Sequence, residues 1–310
     1  MEQFNPNLLS KLYKPPVYSH KGQNGKLMII GGSKLFHAAS LWALKVASRI
    51  VDMVYYSSVD ENNQIVQKAK EEFRDGIVVR RDHIEDYIQE ADCVLIGPGL
   101  PRLEGQEEGD DDTKALTESL LKKYTHKKWV IDGGSLQTID PSFIPKDAIL
   151  TPHQKELETL FHTVIPSPAK QGEESPEVSV QRMGSSRRFA RYRLEPGFAP
   201  QDDRHSLVAE MAKKYNCTIL LKGAIDTVCN STQCAKIKGG NAGMTKGGTG
   251  DVLAGLTASI YCKNEAFLSA CAGSFINKKA GDFLYQNVGP YFNASDLTNE
   301  IPKIMKRLLY

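Results

Sequence analysis

The stretch KLMIIGGS (Lys26–Ser33) sets four consecutive apolar residues between a lysine and a pair of glycines. A run that short and that continuous reads as a strand buried on both faces. A half-exposed strand would alternate, and a core helix would run longer. Six further runs repeat the design: DMVYYSS from Asp52, GIVVRR from Gly76, DCVLIGPG from Asp92, KWVIDGG from Lys128, AILTPH from Ala148 and CTILLKG from Cys217. Helical patterns such as ASLWALKVASRIV (Ala39–Val51) lie between them. Doubly buried strands alternating with helices predict an α/β layered fold with a mainly parallel sheet covered on both sides. The runs end in small or polar residues, and open α/β sheets bind ligands beyond the carboxyl ends of their strands. Those ends are the expected wall of a site.

With 310 residues, 41% of them hydrophobic, the chain can build a sizeable core. A formal charge of +2 supplies no global field toward nucleic acid or membrane. The first residues, MEQFNPNLLSKLYKPPVYSH, lack the apolar core of a signal peptide, and no later run approaches a membrane span, so a cytoplasmic protein is expected. The six cysteines include no CxxC pair and are expected as free, mostly buried thiols in a reducing compartment, Cys229 and Cys234 among them. The acidic run EGQEEGDDDTK (Glu104–Lys114) lacks the spacing of an EF-hand and reads as a solvated loop ahead of a helix rather than a metal site. From about 162 to 205 the periodicity stops. Five prolines and mixed charge there predict an inserted, mobile surface segment within a single domain covering 1–310. Its core, RRFARYR (Arg187–Arg193), interleaves arginines with Phe189 and Tyr192, a pattern compatible with solvated surface or with a nucleotide or nucleic-acid contact.

The chemistry concentrates in GGNAGMTKGGTGDVLAGLTASI (Gly239–Ile260), which crowds six glycines into twelve residues and then places Asp251 at the start of an apolar helix. Glycine is costly in backbone entropy, so such a cluster serves conformations or approaches that a Cβ would forbid. GGSKLFHAAS after the first strand lacks the GxGxxG spacing of a dinucleotide fingerprint, and GMTKGGT is not a Walker A loop. Gly247, Gly248, Thr249 and Gly250 ahead of the helix supply converging backbone N–H groups at a positive helix end, an anion hole. A carboxylate in the same turn suits a general base that takes a hydroxyl proton as a phosphoryl group arrives, with a helix cap as the bland alternative. Lys246 beside the glycines stands as either a phosphate partner or a solvated side chain, and so do His20 and Lys21 in HKGQNG. Downstream, AFLSACAGSFINKKAGDFLY (Ala266–Tyr285) reads as a covering helix whose Gly273 and Gly281 mark close packing.

In this order, HKGQNGKLMIIGGSKLFHAAS, IGPGL, VIDGGSL, LTPHQKE, LLKG and GNAGMTKGGTGDVLAG resemble the ADP- or ATP-dependent NAD(P)H-hydrate dehydratase family, a branch of the ribokinase-like superfamily. The resemblance spans about Ser19 to Gly281 apart from the insert. It implies a ribokinase-like three-layer α/β/α sandwich around a central, mainly parallel sheet. It also implies a repair reaction in which hydrated, inactive NADH or NADPH is dehydrated to the working cofactor at the expense of ADP or ATP, with Mg2+. Carried over by position, Asp251 matches the aspartate at the reacting hydroxyl. Ala39, Gly99 and His153 match residues that contact the damaged dinucleotide, and Lys222, Gly223, Ala224, Ile225 and Asp226, with Gly248, Thr249 and Gly250, match the nucleotide-binding segments. Asn241 and Gly243 of the GNxGM loop and Asp132 at a strand end, where it could cap a helix or hold a magnesium-bound water, complete the candidates.

The sequence departs from the family where Ala38–Ala39–Ser40 replaces Gly-Ala-Pro, where VIDADAL has become VIDGGSL, and where Lys155 replaces the glycine of TPHxGE. The N-terminal epimerase domain of many bacterial members has no counterpart here, so the resemblance implies a separate epimerase in the same pathway, along with a homo-oligomer. A ribokinase-like small-molecule kinase, and a nucleotide- or nucleic-acid-binding module using the basic insert, are the rival readings.

Overall fold

The computed structural model describes residues 1–73, 75–102, 105–161 and 201–310. All seven runs read as strands are strands: β2 (Lys26–Ile30), β3 (Met53–Ser57), β4 (Ile77–Val78), β5 (Cys93–Ile96), β6 (Lys128–Ile131), β7 (Ile149–Leu150) and β8 (Thr218–Leu221). They pair in parallel in the order β4-β3-β2-β5-β6-β7-β8. Three strands were not anticipated. An antiparallel hairpin, β9 (Asp226–Cys229) and β10 (Cys234–Ile237), extends the sheet beyond β8, and the two-residue β1 (Glu2–Gln3) closes that edge.

Continuous apolar runs serve both faces because successive side chains alternate across the pleat. Leu27, Ile29, Val54, Leu95, Val130 and Leu220 point to one side, under α1 (His37–Ala47), α8 (Thr249–Tyr261), α9 (Ala266–Val288) and α10 (Ala294–Leu309). Met28, Ile30, Tyr55, Val94, Trp129 and Ile219 point to the other, under α3 (Ile84–Glu90), α4 (Thr113–Lys123), α5 (Gly133–Thr138), α6 (Gln154–Phe161) and α7 (Gln201–Lys214). The result is the three-layer α/β/α sandwich. Each fully buried side chain of this size is worth about 1.5–3 kcal/mol. The α2 helix (Asp60–Phe73) follows β3. Close packing among the covering helices uses small residues: a Cβ on Gly255 would lie 2.7 Å from Ala43 Cα, and one on Gly273 would lie 2.4 Å from Thr257 Oγ1. Gly281 packs likewise against Met244.

The segment expected as an insert lies outside the described residues up to position 200, and Gln201 already belongs to α7. Two expectations are corrected. Cys93, Cys217, Cys262 and Cys271 are buried free thiols, but Cys229 and Cys234 form a disulfide. They are direct cross-strand partners in the β9–β10 hairpin, a pairing that depends on register and not on sequence spacing. The acidic run is also more engaged than a solvated loop. Asp110 accepts from the Lys34 and Glu107 amides, Asp111 forms a two-pronged pair with Arg81, and Asp112 caps α4 through the Ala115 amide.

Candidate active site

The carboxyl ends of β7 and β8 border a cleft of about 640 Å³, whose walls include His153, Lys222, Ala224, Asn241 and Gly250. The first turn of α8 enters it from the far side. Its cap residue, Gly248, has a left-handed backbone (φ 94°) and no side chain, so the amides that follow are left without a side-chain partner. A Cβ on Gly247 would meet nothing within 4 Å, and one on Gly250 would meet only Lys222 Nζ, at 3.6 Å. The space over these amides is open to a ligand.

Lys222 is the hub beneath that turn. Its position is fixed by the backbone continuation of β8, where its amide donates to Pro152 O (2.8 Å) and the residue bridges His153 in parallel register. Its ammonium donates to Asp132 Oδ1 (2.9 Å) and pairs with Glu156 Oε2 at 3.7 Å. Burial disfavours that ammonium, but the carboxylates of Asp132 and Glu156 outweigh it and raise its pKa. Asp132 is buried and receives Thr151 Oγ1 as well, at 2.8 Å. It precedes α5 without capping it, which removes the capping alternative and leaves its carboxylate turned to the cleft lysine.

Asp251 stands in the first turn of α8 within the field of these groups. Burial pushes its carboxyl up to about 7, the Asp132 charge adds to the rise, and Lys222 opposes it. The carboxylate lies away from the cap position, which belongs to Gly248. A carboxyl titrating near neutrality at a helix start that no cap side chain covers can accept a proton from a hydroxyl without a large driving-force penalty.

His153 has two attachments. Its Nδ1 accepts from the Glu156 amide (3.3 Å), and its own amide donates to Glu156 Oε2 (2.8 Å), a reciprocal cap on α6. Burial, then the Lys222 charge, lowers its pKa, so the imidazole is neutral near pH 7, with the proton on Nε2 facing Glu156 Oε1 at 3.3 Å. Burial correspondingly raises the Glu156 carboxyl. Sequence reasoning passed over Glu156, although the three-residue step from His153 to Glu156 at a helix start was a readable cap signal. Lys155 sits exposed within the first turn of α6.

Ala39 and Gly99 are brought together: a Cβ on Gly99 would lie 3.1 Å from that of Ala39. Trp42, one turn further along α1, packs on Gly248, where a Cβ would lie 2.3 Å from the indole ring. The α1 face that carries Ala39 therefore meets the start of α8. Asp226, at the start of β9, accepts from the Gly223 amide at 2.9 Å. Thr249 Oγ1 donates to Met244 O (2.7 Å), tying the glycine loop to the helix. Asn241 borders the cleft and caps the turn Ala242–Thr245, while Gly243 is filled from behind by Phe292. Ser33 accepts from the Phe36 amide and holds the loop after β2.

Other candidates are not at the site. His20 and Lys21 lie in the loop before β2, whose Gly22 amide donates to Asp52, at the opposite end of the strands. Lys246 Nζ donates to the carbonyls of Pro290 and Phe292, which settles it as a loop anchor. A second cavity of about 730 Å³ also opens at that far end, beside Phe4, Lys128 and Tyr261, and contains none of the glycine motif.

The chain is 33% identical over 248 residues to the bifunctional NAD(P)H-hydrate repair enzyme of Methanocaldococcus jannaschii, a match covering 77% of this chain and 39% of that protein. The chain thus spans well under half the length of that relative. Its fold is similar to that of a ribokinase-like superfamily protein from Enterococcus faecalis (TM-score 0.70, 19% identity, 99% and 96% of the two chains). It is equally similar to the ADP/ATP-dependent NAD(P)H-hydrate dehydratase of Bacillus subtilis co-crystallized with ATP/Mg2+ (TM-score 0.71, 18% identity, 99% and 98%). The family model described as NAD(P)H-hydrate dehydratase matches residues 27–303, which takes in every strand from β3 to β10, the whole cleft and Asp251. The chain belongs to the NAD(P)H-hydrate dehydratase family.

Proposed function

We propose that the protein dehydrates the (S)-hydrate of NADH or NADPH back to the reduced cofactor, converting ATP to ADP, or ADP to AMP, with release of phosphate. The observation that carries this reading is Asp251, its carboxyl lifted to about 7, set in the same helical turn as the open amides of α8. In this reading the terminal phosphate of the nucleotide rests on the Gly248, Thr249 and Gly250 turn, and Lys222 balances its charge. The hydrate's hydroxyl oxygen bonds to phosphorus as its proton passes to Asp251, and the bond to the departing nucleotide breaks. The carbon–oxygen bond then breaks with loss of a neighbouring proton, phosphate leaves, and the ring double bond returns. Ala39, Gly99 and His153 hold the dinucleotide, and Lys222 to Asp226 with Asn241 hold the nucleotide. Catalysis comes from positioning and charge stabilisation.

Among the described residues no group of three or more His, Cys, Asp or Glu could hold a metal unaided. Asp132 and Glu156, buried behind the cleft and paired with Lys222, are the carboxylates that could reach Mg2+ arriving on nucleotide phosphates, since that ion takes one or two protein carboxylates and keeps waters. Bound there, Mg2+ would neutralise phosphate charge. No helix among the described residues is long and apolar enough to cross a membrane. The reading also includes an epimerase that interconverts the two hydrates, and a homo-oligomer that sedimentation velocity measures.

The test is incubation with chemically hydrated NADH, Mg2+ and either ADP or ATP, followed near roughly 340 nm, where reduced nicotinamide absorbs. Recovery of absorbance with stoichiometric inorganic phosphate is expected. A stable phosphorylated product in place of phosphate would move the protein to the small-molecule kinases of the same fold.

A further inference from the structure

Lys278, in the middle of α9, is only 6% exposed, and neither the glycine motif nor Asp251 accounts for it. Its ammonium donates to Gly223 O (3.0 Å), Ala224 O (3.2 Å) and Gly239 O (3.2 Å), and it pairs with Asp226 Oδ1 at 3.2 Å. Asp226 is in turn held by Ser274 Oγ, one turn earlier on the same helix, at 2.7 Å. One buried side chain thus ties together two loops that line the cleft, Lys222–Asp226 and Gly239–Asn241.

This has a directional consequence. In a trans peptide the carbonyl of one residue and the N–H of the next point opposite ways. Because the Gly223 and Ala224 carbonyls both turn inward to Lys278, the amides of Ala224 and Ile225 turn outward, to the exposed side of the bend. Neither amide donates to another described residue. Without the lysine nothing would hold these carbonyls buried, and the bend would be free to turn them to solvent.

We infer that Lys278 is a positioning residue for the nucleotide. It orients the Ala224 and Ile225 amides as two donors that read an acceptor on the nucleoside portion of the ligand, and it sets the width of the cleft. The inference rests on the proposed use of ADP or ATP at this cleft, and it assigns Lys278 no contact with the reacting atoms.

The test uses ADP as the probe and measures binding directly, so that it stands apart from turnover. In the wild-type protein the Ala224 and Ile225 amide resonances shift on titration with ADP. Lys278→Met, shown folded by circular dichroism, binds ADP about tenfold or more weakly by calorimetry, with the nucleotide KM raised to match and kcat at saturating nucleotide within about threefold of wild type. Lys278→Arg, which keeps charge and donors, recovers most of the affinity. Unshifted Ala224 and Ile225 amides overturn the inference whether or not the methionine variant folds. So does wild-type affinity in Lys278→Met, or a loss of kcat without a change in KM. Binding with the expected shifts but no recovery of reduced nicotinamide would sink the dehydratase reading and leave this one standing. A wild-type protein that binds neither ADP nor ATP would sink both.

Discussion

The turn after β2 and the turn before α8 each bring a glycine-rich stretch to a helix start that no side chain caps, with Phe36 at the first cap and Gly248 at the second. What surrounds their glycines differs. At the first, a Cβ on Gly31 would lie 2.3 Å from Pro98 O and one on Gly32 would lie 2.0 Å from Asn62 Nδ2, so protein fills the space. At the second, Gly247 opens to solvent and Gly250 faces an almost empty cleft. The same residue type is kept for packing in one turn and for a guest in the other. Gly248 belongs with the packing group, since Trp42 occupies the place of its side chain. A bulky residue there would damage folding along with binding.

Four experiments press on this contrast. The largest effect is expected at the open turn, where Asp251→Asn keeps shape but cannot accept a proton. Turnover of the hydrate should fall roughly 10²- to 10⁴-fold in stopped assays while ADP binding persists. Near-normal turnover would remove Asp251 from the chemistry.

Next comes the pair Gly32→Ala and Gly250→Ala. The first forces a side chain onto Asn62 at a left-handed backbone position (φ 75°) and should cost about 2–4 kcal/mol in denaturant unfolding. The second should unfold like wild type but bind ADP about tenfold more weakly, because its methyl group enters the space of the phosphate. Equal behaviour of the two variants would erase the distinction between the turns.

A third effect is set by pH. With Asp251 titrating at about 7, kcat/KM should drop about tenfold between its plateau and pH 6. The stability sign follows from the same shift. The carboxyl's folded pKa lies above its ordinary 3.8, so its contribution is full below that value and is lost as pH rises through about 7. Asp251→Asn should therefore gain in melting temperature over wild type, and the gain should be wider at pH 8 than at pH 5. A gap independent of pH would show that the carboxyl is not held in its neutral form.

The smallest effect is expected away from both turns. Replacing Pro166 to Pro200 by a short Gly/Ser linker should leave a folded protein with unchanged nucleotide affinity, since long surface connections cost little closure entropy. A weaker and less salt-sensitive nucleotide affinity would instead assign Arg187, Arg188 and Arg191 a role over the cleft, and a variant that cannot fold would place the segment in the core.

Buried parallel strands were legible because their signal is local: three or four consecutive apolar residues closed by small or polar ones, repeated seven times. The β9–β10 hairpin was not, because DTVC is buried throughout yet half polar, and CAKI alternates buried with half-buried residues, so neither shows a continuous apolar run. The disulfide was hidden with it. At the site, Asp251, Lys222 and the open glycines were visible in a motif, whereas Lys278 was not. A lysine in a helical pattern reads as solvated surface, and its burial follows only from the docking of α9 on two loops far away in the chain. Lys246 shows the converse. It lies beside the motif in sequence, yet its reach ends on the carbonyls of Pro290 and Phe292.

The two-residue strands that close the sheet have a consequence for how copies of the protein can meet. A sheet edge normally offers a row of unpaired amides and carbonyls to any passing strand. Here β4 offers two residues at one edge, and β1 covers β10 at the other, anchored by the Phe4 amide on Lys236 O and by the Phe4 ring against Phe275. Among the described residues each flank ends in a two-residue strand, which leaves little ladder for another molecule to join and disfavours edge-to-edge growth into fibres.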